Sequence, residues 1–340
     1  MIRIGLVGYG YWGPNIARVV AELETTELTA IADYSTPARQ RAGRRHPSAH
    51  LLSDWRDLIK SADVDAVVVA TPVDTHFDIA MAALKAGKHV LVEKPMADTS
   101  AHAAALVDEA ARRNRVLMVD HTFVYTPAIQ KIRALIDAGE IGDVYYYDST
   151  RINLGLFQRD VNVIWDLAVH DFAIMDHLLD ADPVAISASA AAFVPGSPEN
   201  MAYLTVYHDD GTMAHLNVNW LSPVKIRQTL IGGSRRMVIY DDMQTSEKVK
   251  VYDRGAMVEG DPGYEHRVSY RSGDIWAPAL STKEALLTEM QEFVRCIETG
   301  ARPLTDGLRG LRVVNLLAAA SRSVRLRGQP IELVPLREAS

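Results

Sequence analysis

The stretch "GLVGYGYWGPNIARVV", Gly5 to Val20, decides how the first part of the chain folds. It follows the apolar run "IRIGLVG" (2–8) and leads into a segment with Ile16, Val19, Val20 and Leu23 at helical spacing. Gly8, Gly10 and Gly13 therefore sit at G-x-G-x-x-G spacing between a strand and a helix. In that context the first glycine allows a tight turn, the second lets a pyrophosphate approach the backbone, and the third lets helix pack on strand. The helix start adds unpaired N–H groups and a positive dipole end. Tyr9, Tyr11 and Trp12 belong to the same loop and are counted with it as cofactor-side residues. Asp33 ends the next apolar run, 20 residues beyond Gly13. A carboxylate at that place holds a ribose through its hydroxyls and repels a 2′-phosphate. The expected cofactor is NAD, with NADP the weaker choice; Arg39 and Arg41, on the helix after Asp33, are the cations that soften that preference.

Outward from this loop, strand-like runs "LTAIAD" (28–33), "DAVVVAT" (65–71), "HVLVE" (89–93) and "VLMVD" (116–120) alternate with helical patterns. One helix, "THFDIAMAALKAG", closes on Gly87. Near-continuous apolar strands separated by helices predict a doubly wound parallel sheet covered on both faces. Residues 1–121 are read as this Rossmann-type α/β domain. From 122 to 340 the pattern becomes a few helices and a succession of strands, with Asp210–Gly211 marking a hairpin. This predicts an α+β domain on a large, open, mainly antiparallel sheet. "IWDLAVHDFAIMDHLL" reads as one helix within it.

Composition narrows the function. A net charge of -7 argues against nucleic acid or an anionic membrane surface as partner. One cysteine, Cys296, excludes an internal disulfide and a thiolate cluster. No set of His, Asp and Glu has metal-ligand spacing, so no metal is expected. The N-terminal run lacks the layout of a signal peptide, and no apolar stretch has the length of a membrane span. The expectation is a cytoplasmic protein.

Two further stretches carry chemistry. "ATPVDTH" (70–76) and "VLVEKPMAD" (90–98) both follow parallel strands, and strand ends of that kind form the ligand crevice of an open α/β sheet. Thr71, Pro72, His76, Glu93 and Lys94 are thus expected along the cofactor's path; for His76 a helix-capping or surface role is the alternative. A cis Lys94–Pro95 bond would fix the direction of the lysine, which presents a point charge and three donors. In "WDLAVHD", Asp166 and His170 stand four apart, so on a helix they share a face. An imidazole suits the removal of a proton from a secondary alcohol as hydride leaves, and a carboxylate one turn away orients it; a plain surface ion pair is the other reading.

Together these motifs resemble the Gfo/Idh/MocA (glucose–fructose oxidoreductase/inositol dehydrogenase) family over essentially the whole chain. "AGKHVLVEKPMA", "VDHTFVYTPAIQKIRALIDAGEIGDV", "DLAVH" and "GARPLTDGLRGLRVVNLL" join the glycine loop in carrying the resemblance. It implies a Rossmann domain, a C-terminal α/β domain that packs dimers or tetramers through its sheet, a cis Lys94–Pro95 bond, a catalytic Lys94, and His170 as acid/base helped by Asp166. This chain departs from the family in having Ala168 two before the histidine, "NVIW" upstream, and Asp171 in place of an aspartate at position 173. "INLGLFQRDVNVIWDLAVHD" (152–171) resembles members acting on amino sugars or nucleotide-linked sugars at ring C3.

The resulting expectation is an NAD-dependent oxidoreductase interconverting a secondary alcohol and a ketone on a sugar, amino sugar, nucleotide sugar or cyclitol. Tyr125, Arg151, Asn153, Arg159 and Asn162 are the substrate-side candidates. A non-catalytic NAD(P)-binding regulator and a reductase of imines or enones are the alternatives. Alternating strands such as "AHLNVNW" leave a sheet face that could bury against a second copy, as a homodimer or homotetramer.

Overall fold

A computed structural model describes residues 1–155, 161–259 and 267–334. By its internal contacts the chain forms two compact units, 1–125 with 283–315, and 126–282 with 316–340. The first unit thus takes in a returning C-terminal segment besides the expected 1–121.

The first unit opens with β1 (Ile2–Val7), α1 (Gly13–Glu22), β2 (Thr26–Ala32), α2 (Thr36–Arg45), β3 (His50–Leu52) and α3 (Trp55–Lys60). It continues with β4 (Ala66–Val69), α4 (His76–Lys85), β5 (His89–Glu93), α5 (Ser100–Arg113) and β6 (Leu117–Asp120). All six strands are parallel, in the order β3-β2-β1-β4-β5-β6. Strand order reverses between β1 and β4, the switch point where open α/β sheets bind ligands beyond the strand C-termini. Ile4, Leu6, Val67, Val68, Leu91, Val92, Met118 and Val119 are fully buried, which is why these strands read as unbroken apolar runs. Burial of each such side chain contributes about 1.5–3 kcal/mol. The fold class expected for this half is the one observed.

The second unit contains α6 (Pro127–Asp137), β7 (Val144–Leu154), α7 (Val169–Leu178), β8 (Pro183–Ala191), β9 (Met201–His208) and β10 (Met213–Asn219). β11 (Leu221–Gly233), β12 (Met237–Asp241), β13 (Val249–Glu259) and β14 (Arg267–Trp276) follow. Next come α8 (Ala285–Thr299), which belongs to the first unit, α9 (Gly307–Arg325), and β15 (Ile331–Glu332). Among the described residues the sheet runs β14-β13-β12-β11-β7-β10-β9-β8-β15. Every pairing is antiparallel except β10 with β7. β9 alternates strictly: Ala202, Leu204 and Val206 are buried, while Tyr203 and Tyr207 lie on the open face. The predicted single helix over 164–179 is instead a π-helical turn, Ile164–Ala168, followed by α7.

Among the described residues no helix is long and apolar enough to cross a membrane, and no group of His, Cys, Asp and Glu could hold a metal ion.

Candidate active site

In the first unit the three loop glycines meet three different surroundings. Gly8 has φ +98°, and a Cβ there would lie 2.3 Å from the Ala70 carbonyl oxygen. A Cβ on Gly13 would lie 2.2 Å from the Gly8 carbonyl oxygen. At Gly10 the same atom would meet nothing within 4 Å. The first and third positions are thus closed by backbone, and the second is open, which is the arrangement a pyrophosphate needs. Trp12 stands at the N-cap position of α1 without a capping side-chain hydrogen bond, and Pro14 lies in the first turn, so the helix starts three residues beyond the open glycine.

Asp33 is held by the loop it serves. Its Oδ2 accepts the Tyr9 N–H at 2.7 Å and its Oδ1 accepts the Ser35 N–H at 2.7 Å. Each oxygen keeps a further lone pair for a ribose hydroxyl. Arg39 does not turn toward that place: its guanidinium donates to the carbonyls of Asp33 (2.6 Å) and Tyr34 (2.9 Å) and to Thr36 Oγ1. Arg41 donates to the Tyr9 carbonyl at 3.5 Å. Both cations that could soften the NAD preference are engaged on backbone. These observations fit an adenine dinucleotide with a free 2′-hydroxyl.

The loop aromatics divide. Tyr9 is 1% exposed with its ring edge-on to His46, so only its backbone is available. Tyr11 is 93% exposed. Trp12 is half-buried and donates its indole N–H to Asp120 Oδ2 at 2.7 Å.

At the C-terminal end of β4, the Thr71 hydroxyl bonds that of Thr75 at 2.7 Å, and Pro72 is exposed. His76, expected along the cofactor's path, is 1% exposed. Its Nδ1 lies 2.9 Å from the Pro95 carbonyl and its Nε2 2.8 Å from the Thr71 carbonyl. Burial pulls its pKa below the ordinary imidazole value, against the two carbonyls that raise it. His76 is thus a buried tie between two crevice loops; it neither caps α4 nor lies on the surface. At the end of β5, Glu93 and Lys94 are half-buried and the Lys94–Pro95 bond is cis. Glu93 stands beside Asp120 in the β5–β6 register. His121, in which the sequence shows no role, lies near Lys94; burial first, then that ammonium, lowers its pKa to about 3. It is a neutral ring at all working pH.

Tyr125, a substrate-side candidate, is 2% exposed, and its hydroxyl meets Thr305 Oγ1 at 3.1 Å inside the first unit. Its side chain belongs to the core.

In the second unit, His170 is the second residue of α7 and Asp166 lies in the π turn before it; both are half-buried. A π turn widens the helix, so the plain i,i+4 geometry read from the sequence does not apply there, and such turns recur at functional sites. Asp166 Oδ2 accepts the indole N–H of Trp220 at 3.1 Å, and Trp220 is itself buried. Asn162 Oδ1 accepts the N–H groups of Ile164 and Trp165, both at 3.2 Å, and its amide donates to Glu199. It fixes the start of the turn. Arg151, expected to face substrate, is 5% exposed and forms a two-pronged pair with Asp171, Nε at 2.8 Å and Nη2 at 3.1 Å. That pair joins β7 to α7, and Asp171, noted in the sequence only as a departure, is its anchor. Asn153 lies half-buried on β7. Arg159 falls outside the described residues.

Residues 2–121 match the model of an oxidoreductase family with an NAD-binding Rossmann fold, and residues 129–239 match the Gfo/Idh/MocA C-terminal domain. The chain belongs to the Gfo/Idh/MocA family of NAD-binding oxidoreductases. It is 30% identical to the UDP-N-acetylglucosamine 3-dehydrogenase of Acidithiobacillus ferrooxidans, over 96% of each chain. It is 28% identical to an inositol 2-dehydrogenase of Rhizobium meliloti, over 96% of this chain and 98% of that one. A crystal structure of the Acidithiobacillus enzyme superposes with a TM-score of 0.79 at 27% identity, covering 96% of this chain and 99% of the other.

Proposed function

We propose that the protein is an NAD-dependent dehydrogenase that interconverts a secondary alcohol and a ketone on a sugar, amino sugar, nucleotide sugar or cyclitol. The observation that carries this reading is the glycine loop, closed at Gly8 and Gly13 and open at Gly10 beside a backbone-held Asp33. Likeness across both chains to a UDP-N-acetylglucosamine 3-dehydrogenase supports the nucleotide-sugar end of that range.

The Gly8–Gly13 backbone and the start of α1 would hold the pyrophosphate, Asp33 the adenosine ribose, and the Thr71–Pro72 and Glu93–Lys94 strand ends the remainder. When bound, NAD supplies the acceptor for the carbinol hydride. Lys94 donates a hydrogen bond to the substrate hydroxyl and stabilises the oxyanion that develops there. His170 accepts the hydroxyl proton at an imidazole nitrogen, and Asp166, oriented by Trp220, steadies that proton transfer.

The test is NAD reduction followed spectrophotometrically with UDP-N-acetylglucosamine, other nucleotide sugars, free amino sugars and inositols. Turnover is expected with at least one nucleotide sugar. NAD binding with no reduction across the whole panel would favour a regulator instead.

Cofactor choice offers a second check. Asp33→Asn keeps an acceptor for one loop N–H and removes the charge that repels a 2′-phosphate. The NAD:NADP ratio of kcat/KM is expected to fall about 10- to 100-fold, given the size of a charge–charge repulsion at contact in a partly solvated site. An unchanged ratio would show that Asp33 does not face the ribose.

A further inference from the structure

Beneath the Trp12–Asp120 hydrogen bond lies a buried carboxyl that the proposed reaction does not use. Glu289, on α8, is 0% exposed. Its carboxyl faces the Asp120 carboxyl of β6, with Thr122 in the turn that follows and Glu93 of β5 nearby. Tyr125 lies near both Glu289 and Glu292, and Lys94 lies near His121. No N–H or O–H donor among the described residues satisfies either Glu289 oxygen. Asp120, in contrast, receives two: the Trp12 indole N–H and the Thr122 hydroxyl proton. Two abutting carboxylates, one with two donors and one with none, cannot both stay ionised away from water. The one without donors is the one that holds a proton, and a protonated carboxyl becomes the donor that its neighbour's remaining lone pair can accept.

We propose that Glu289 is a positioning residue: it stays protonated at neutral pH, donates its O–H to Asp120, and thereby fixes the single negative charge that anchors the Trp12 indole at the start of α1. The inference rests on the reading of the glycine loop as the cofactor's cradle. It assigns Glu289 no contact with cofactor or substrate; it acts through Asp120 and Trp12. Burial, followed by the Asp120 carboxylate, pushes the Glu289 carboxyl well above the usual carboxylate range, in the same sense as the geometry.

The sign of the pH effect follows. A folded-state value above the unfolded one means that the stability this group contributes is complete below the unfolded value, about 4.3. It is lost progressively as pH rises toward the folded value. Glu289→Gln cannot ionise and keeps a neutral donor, so it escapes that loss. The difference in Tm between E289Q and wild type should therefore increase from about pH 5 to about pH 9; a difference that does not change with pH overturns the proposal. Infrared difference spectra of the wild-type protein at neutral pH, taken against E289Q, should show the C=O stretch of a protonated carboxylic acid. Its absence overturns the proposal without reference to any activity.

Cofactor affinity separates this inference from the reading beneath it. E289L, which removes the donor, should weaken NAD binding about tenfold, as loss of a charge-assisted hydrogen bond does, and E289Q should recover most of that. If W12F weakens NAD binding and E289L does not, the positioning role is wrong while the glycine-loop reading stands. If W12F itself leaves NAD affinity unchanged, the reading of Trp12 fails and the positioning role with it.

Discussion

His170→Asn is expected to lower turnover by about 10²–10⁴-fold, the usual contribution of a positioned general base. The substitution keeps a polar side chain at the second residue of α7 and removes the imidazole nitrogen that we propose accepts the substrate's proton. The Arg151–Asp171 pair, which joins α7 to the sheet, is left intact, so folding should be preserved. Because the residues proposed to hold the dinucleotide, Gly8–Gly13 and Asp33, are unchanged, the NAD dissociation constant should stay within about threefold, less than 1 kcal/mol. A second signature lies in the pH profile. An imidazole accepts a proton only when neutral, so wild-type kcat/KM should fall on the acid side, and that limb should vanish in H170N. Stopped-flow turnover and NAD titration measure both; wild-type rates in H170N would remove the base from the scheme.

Lys94→Ala carries the other large effect. Removing one donor aimed at a developing oxyanion costs roughly 10²–10³ in kcat. Lys94 directly follows β5, whose Val90, Leu91 and Val92 are wholly buried, and its bond to Pro95 is cis. Truncating its side chain removes an ammonium without disturbing that packing. The neighbouring His121 gives an internal control. Its pKa is depressed to about 3, first by burial and then by the Lys94 charge, so K94A should leave the ring neutral at working pH and create no replacement cation. Lys94→Arg should not restore the rate, because a planar fork cannot take the place of a compact point charge. A K94R enzyme as fast as wild type would show that any nearby positive charge suffices.

The parts of this molecule that are legible in the sequence are those whose determinants are local. Gly8, Gly10, Gly13 and Asp33 lie within a single strand–helix–strand unit, and their spacing carries their geometry. The parallel sheet is legible because its strands are buried on both faces and so read as unbroken apolar runs. β3 is not, because a three-residue edge strand of largely exposed residues carries no such run. The π turn at Ile164–Ala168 escapes for a different reason. It lies among side-chain ties that no local pattern announces, Asn162 to two N–H groups and Asp166 to Trp220, the latter 54 residues away. Arg151 and Tyr125 read as substrate contacts because they lie, along the sequence, between the crevice-facing strand ends and the helix of His170. Their partners, Asp171 and Thr305, are distant in sequence, and only folding shows that these groups are engaged in structure. Glu289 is the extreme case: it meets Asp120 across 169 residues, and nothing in "LLTEMQEF" distinguishes its carboxyl from that of Glu292.

The most direct test of hydride transfer uses a nucleotide sugar carrying deuterium at the carbinol carbon. After incubation with enzyme and NAD, mass spectrometry of the recovered cofactor should show one deuterium, transferred more slowly by H170N and K94A. Cofactor that binds tightly yet returns without label, whichever ring position of the sugar is deuterated, would contradict the assignment of this protein as a dehydrogenase of that substrate class.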